Sequence, residues 1–290
     1  MILGLTHTSA QHFQLKGLEI YNPYYLNPAY IQAEKSVQLD FIGYNFNWGS
    51  GMWSSVMTTI PKYNSSAGIR FAQSSSNGSF EYWDLQLAYA YKHSFTEDLH
   101  LNGGIQFNSG HVKYEDGIFR PDPDELKARH NGYLGLGVAL EYHKLHAGLS
   151  SSFPLYLRRE VLLEDNTTET QKDDADIINF NFLTGYSLGK PGRLTFDPIL
   201  GLDYRILYGG RTKELRGYLG ANLKIRNVVG FGFTMGNLVS FSTSLNILDR
   251  VTLMMGIYAG EHELFGPIDN SNYTIGSKEF DIIGQIRVNL

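Results

Sequence analysis

The sequence predicts an all-β chain, a fourteen-stranded antiparallel transmembrane β-barrel with an irregular N-terminal segment. Three observations carry that expectation. Apolar and polar residues alternate with a period of two from Val37 to the last residue, and no helical period of any length intervenes. The long connections all follow odd-numbered strands. The 31 glycines, 19 tyrosines and 17 phenylalanines of the 290 residues suit many tight turns and aromatic girdles.

The alternation places fourteen strands at 36–47, 50–60, 65–75, 81–92, 98–110, 131–142, 145–153, 176–187, 194–207, 215–226, 228–236, 239–247, 251–260 and 279–290. Leu134, Leu136, Val138, Leu140 and Tyr142 share one face, against Gly135, Gly137, Ala139 and Glu141. Val239, Phe241, Thr243, Leu245 and Ile247 oppose Ser240, Ser242, Ser244 and Asn246. Most of these segments have the 9–12 residues that a tilted strand needs to cross a bilayer.

The connections decide which way the apolar face points. The even ones are short, as in PKYN at 61–64, LGKPGR at 188–193 and RN at 226–227. The three long ones, 111–130, 154–175 and 261–278, all fall on the opposite end. That asymmetry matches outer-membrane barrels, with short periplasmic turns and longer outer loops. A soluble β-sandwich would turn the apolar faces inward and gives no reason for one-sided loops. No Lys or Arg interrupts the middle of an apolar face, where such a charge costs about 2–4 kcal/mol at the bilayer midplane.

The totals exclude several functions. With 24 basic against 29 acidic residues, net −5, the chain lacks the basic surplus of a nucleic-acid binder. Without cysteine it has no disulfide, thiolate nucleophile or Cys-ligated metal. No apolar run is long enough for a membrane-spanning helix. Residues 1–10, MILGLTHTSA, are short and apolar and end in Ser-Ala before Gln11; they read as the remnant of a secretory signal peptide, without its basic n-region. Residues 11–35 then form the irregular aromatic and proline segment, and 36–290 the outer-membrane barrel. Within YNPYYLNPAY, residues 21–30, two prolines five apart exclude both a helix and a regular strand.

No catalytic constellation is legible. There is no nucleophile elbow, phosphate loop or dinucleotide fingerprint, so neither an enzyme nor a cofactor is expected. The nine histidines form no metal pattern; His143 and His146 flank a tight turn, and His100 alternates onto the polar face. Asp122, Asp124 and Glu125 lack the spacing and glycine of a calcium loop. The segment EDNTTETQKDDAD at 164–176 reads as an exposed acidic loop.

A resemblance adds to this reading. Asn22-Pro23, Tyr24-Tyr25-Leu26 and Asn27-Pro28-Ala29, with Gln11 as the expected mature N-terminus, resemble the NPxxxNPA opening of the PorP/SprF family. These are outer-membrane proteins of type IX secretion and gliding motility in the Bacteroidota. RPDPDEL is similar to the family's DP-containing loop, and GYLGLGVALEYHKLHAGLSSSFPLYL to its glycine-rich strand pair. LTGYSLGKPGRLTFDPILGLDYRI and GYLGANLKIRNVVGFGFTMGN resemble later blocks in the same order. The chain departs from the pattern at Ile31-Gln32-Ala33, where a glycine usually follows, and in the acidic segment at 164–176.

The resemblance implies a barrel that binds and anchors a secreted adhesin at the cell surface through that protein's C-terminal domain. Otherwise it links the secretion and gliding machinery, with its periplasmic lipoproteins, to the lipid and lipopolysaccharide outer membrane. The partner-binding residues expected on that basis are Tyr21, Pro23, Tyr24, Tyr25 and Pro28 in the N-terminal segment. In the outer loops they are Phe119, Arg120, Asp122, Leu157, Arg158, Leu264 and Phe265. The stiff N-terminal segment has a second expected role, filling the lumen mouth or seating against the barrel wall. The rival from the residues themselves is a transport barrel for a small or hydrophobic solute, with Asp40, Glu141, Asp203, Arg205, Lys224 and Arg287 along the lumen. Those charges equally suit pairing across a closed lumen.

Overall fold

The computed structural model describes residues 24, 26–31, 36–46, 49–76, 80–114, 125–163, 167–172, 177–190, 192–207, 212–236, 238–247, 250–261 and 278–290. Its strands are β1 Val37–Phe46, β2 Gly49–Ile60, β3 Ser65–Ser76, β4 Phe80–Ser94, β5 Leu99–Tyr114, β6 Glu125–Tyr142, β7 Leu145–Leu162 and β8 Thr168–Lys172. There follow β9 Ile177–Tyr186, β10 Leu188–Lys190, β11 Leu194–Leu207, β12 Thr212–Ile225, β13 Val229–Met235, β14 Leu238–Ile247, β15 Val251–Glu261 and β16 Lys278–Asn289. Every pairing is antiparallel, and β1 closes the ring on β16 from Gln38↔Asn289 to Asn45↔Ile282.

Sixteen segments make fourteen wall strands, because β8, β9 and β10 run in succession along one position. β8 pairs with the far part of β7, from Arg158 to Leu162, and β9 pairs with its near part, from Leu145 to Ser152. β9 and β10 both pair on their other side with β11. The expected fourteen-stranded antiparallel barrel is therefore the observed one, and among the described residues no helix is long and apolar enough to cross a membrane.

Burial is inverted relative to a soluble protein. Phe241 and Met255 are 61% and 66% exposed, while Gln38 and Ser240 are 2% and 3% exposed. A continuous belt of Phe41, Ile105, Val138, Leu149 and Ile257 facing water would be untenable, so this face meets lipid. The register forces the arrangement, because a one-residue slip would swap the two faces of a strand. At the turn end Asn64, His143, Arg226 and Asn227 adopt the left-handed conformation that tight reversals need. The exposed Tyr63, Tyr89, Tyr91, Tyr142 and Tyr186 form an aromatic girdle there.

The outer end departs from expectation. β5 runs on to Tyr114, β6 begins at Glu125 rather than 131, and β7 continues to Leu162 rather than 153. β8 lies inside the segments expected as the loop 154–175 and the acidic loop 164–176. Leu157 and Arg158, expected in that loop, are thus strand residues of β7. The reason is physical. Beyond the bilayer both faces of a strand meet water or polar lumen, so ELKARH and LRREVL lose the apolar alternation while keeping the ladder. Pro154, opposite Tyr133, is accommodated beside the register shift between Gly132 and Tyr133.

Candidate functional site: a turn seated in the lumen beneath an extended outer rim

Asn27 opens a single 3-10 turn, Pro28–Tyr30, and its Oδ1 accepts from the Ala29 N–H at 2.9 Å. Proline at the first position supplies the fixed φ, and the Asn side chain caps the turn. The turn lies inside the barrel. Asn27 Nδ2 donates to the carbonyls of Val138 (3.0 Å) and Leu149 (3.3 Å), and Ser150 Oγ donates to the Leu26 carbonyl at 2.7 Å. Three wall glycines open the space for it. A Cβ on Gly104 would overlap the backbone of Pro28 and Ala29; on Gly137, the Asn27 side chain; on Gly148, the Tyr30 hydroxyl and Asn27. These glycines, on β5, β6 and β7, form a groove cut to the turn.

The segment reaches several walls. Tyr24 and Ile31 pack with Met57 of β2 and Ala90 of β4, while Tyr30 extends toward Leu183, Ile199 and Tyr218 on β9, β11 and β12. The Tyr24 hydroxyl donates to Asp40 Oδ2 at 2.8 Å. Asp40 also accepts from Gln38 (2.8 Å), Gln285 (3.0 Å) and Arg287 Nε (2.7 Å), so two donors serve each carboxylate oxygen. This network ties the N-terminal segment to the seam between the first and last strands.

The other expected lumen charges are also paired. Glu141 accepts from Lys92 Nζ at 2.8 Å and Asn102 Nδ2 at 2.9 Å. Arg205 Nε donates to Asp203 at 2.7 Å, and Lys224 lies 3.8 Å from Asp197. Arg70 faces Asp84 at 3.5 Å and stacks over the Trp53 ring at 4.9 Å.

Of the residues expected to bind a partner, Tyr24 and Pro28 are buried on the barrel's inner wall, which takes the surface a partner would need. Arg158 is exposed on the β7 extension, and Leu157 lies beside it in the chain. Tyr21, Pro23, Tyr25, Phe119, Arg120, Asp122, Leu264 and Phe265 lie outside the described residues. The glycine groove went unread in the sequence. Gly104, Gly137 and Gly148 each sit in an ordinary strand pattern, and only three-strand pairing brings them together.

A family model described as type IX secretion system membrane protein PorP/SprF matches residues 8–264. The chain belongs to the PorP/SprF family. The resemblance seen in its NPxxxNPA opening is thereby confirmed, and with it an outer-membrane barrel of a secretion-system family. No curated protein sequence matches this chain. Among solved structures, the P. putida toluene transporter TodX superposes with a TM-score of 0.57 at 8% identity, covering 91% of this chain and 92% of that one. The Ralstonia pickettii toluene transporter TbuX gives 0.53 at 8% identity, covering 91% and 92%. The translocator domain of the autotransporter NalP from Neisseria meningitidis gives 0.52 at 9% identity, covering 98% and 96%. At these identities the likeness is one of fold, and the PorP/SprF chain shares with them an outer-membrane barrel.

Proposed function

We propose that this PorP/SprF barrel anchors a type IX-secreted surface protein at the outer membrane, gripping that protein's C-terminal domain with its extended outer rim. The observation that carries the reading is the plug. A motif segment seated in a glycine groove and bonded to the barrel seam suits a rigid holding device better than a conduit. The paired lumen charges count against a transport path for the same reason, since an open path would leave them to solvent or solute. At the other end, β5 to β8 project past the lipid-facing band and offer a polar platform, with Arg158 on it. The turn end, where the plug sits, faces the periplasm and is the side available to lipoproteins of the secretion machinery.

The test is to replace residues 158–172, the far β7–β8 hairpin, with a short turn. The barrel is expected to insert and fold while the surface protein escapes to the medium. Full retention of that protein on cells carrying the shortened barrel would contradict the outer-rim reading.

A further inference from the structure

On the outward face, just above the lipid-facing band, two histidines from neighbouring strands meet. His111 of β5 stands directly opposite His130 of β6. His111 follows the outward parity of Ile105 and Phe107, and His130 that of Leu134 and Leu136. Their Nδ1 atoms are 3.1 Å apart and their rings 4.4 Å between centroids. Trp83 flanks His111 at 5.5 Å, at the level where indole rings mark the membrane interface. The register shift between Gly132 and Tyr133 sets Arg158 opposite His130 and Glu160 opposite Ala128, so Glu160 of β7 shares the face of His130 one pair further along the ladder. Glu160 Oε1 lies 2.9 Å from His130 Nε2.

That last contact fixes the chemistry. A carboxylate only accepts, so His130 carries its proton on Nε2 and leaves the Nδ1 lone pair toward His111. A ring N–H held by a carboxylate while the other nitrogen is free is how metal-binding histidines are oriented. An ion held at the usual ~2.0–2.1 Å from both Nδ1 atoms would subtend roughly 95–100° there, close to a cis angle of common coordination shells. Tautomerisation of neutral His111 to its Nε2–H form frees the second lone pair without loss of a proton.

We infer that His111 and His130 form a cross-strand chelate for a divalent transition-metal ion, zinc or copper, with Glu160 positioning His130. Among the described residues no group of three or more His, Asp or Glu side chains is placed to hold a metal. The site is thus a two-ligand one whose remaining positions are water. It joins the projecting parts of β5 and β6, and it takes imidazole nitrogen in preference to the oxygen shell of calcium or magnesium. The two histidines are 19 positions apart in sequence, so no ligand spacing announces them.

The experiment is a zinc titration of the full-length barrel in detergent, without a histidine tag, against a chromophoric chelator. One zinc per barrel is expected, lost in His111→Ala and in His130→Ala, weakened about tenfold or more in Glu160→Ala, and unchanged in His100→Ala. No stoichiometric zinc, or zinc retained after either histidine is removed, overturns the site. Electron paramagnetic resonance of the copper-loaded wild-type protein reads the ligands without any variant. Two coupled imidazole nitrogens support the chelate; none or one overturns it.

Discussion

Asp40 is where the N-terminal segment, the first strand and the last strand meet. Its carboxylate takes donors from Tyr24, Gln38, Gln285 and Arg287 and is 1% exposed. Replacing it with alanine removes the shared acceptor of four donors, the Arg287 guanidinium among them, from a confined lumen, at a cost of about 3 kcal/mol. A urea unfolding midpoint in detergent lowered accordingly is the expected result. Gly104 makes the same point sterically. A valine there meets the backbone of Pro28 and Ala29, which cannot rotate away as a side chain can. Because the chain has no native cysteine, Ala29→Cys reports directly on the seat. Maleimide labelling is expected to be slow in the Ala29→Cys protein and at least about tenfold faster once Gly104→Val is added, as local opening exposes the site. Equal rates would mean that the groove does not hold the segment.

At the scale of elements, the wall strands were legible because lipid on one side and polar lumen on the other imprint a period of two. β11 at Leu194–Leu207 was read to the residue, and β14 and β15 to within one. Legibility failed where that contrast fails. ELKARH and LRREVL carry charge on strands that have left the bilayer, and they read as loop. The 3-10 turn at Pro28–Tyr30 was legible as a break in regular structure, from the two prolines of YNPYYLNPAY alone. Its seat was not, because Gly104, Gly137 and Gly148 converge only through the ladders β5–β6–β7. The plug has a consequence for conduction. Planar bilayers holding the intact barrel are expected to stay silent, whereas deletion of residues 24–31 opens steps consistent with a fourteen-stranded lumen. Steps from the intact protein would restore the transport reading.

The whole molecule is a closed ring of strands with two unlike ends. The turn end is ringed by tyrosines and carries the N-terminal segment on its inner wall; the outer end is drawn out into polar strands. Fold and family were both legible from the whole chain, since alternation, loop asymmetry and the NPxxxNPA opening are spread along it. A binding surface records its partner only through shape and charge at residues that the strand pattern leaves free, so the proposed anchoring role is tested at the partner rather than in the strand pattern. The direct test is therefore recovery of the partner itself. The tagged barrel, purified in mild detergent from its own outer membrane, is examined by mass spectrometry. The account predicts one large secreted protein in stable association, lost when that protein's C-terminal domain is deleted. A barrel recovered alone would contradict it, as would one recovered only with periplasmic machinery.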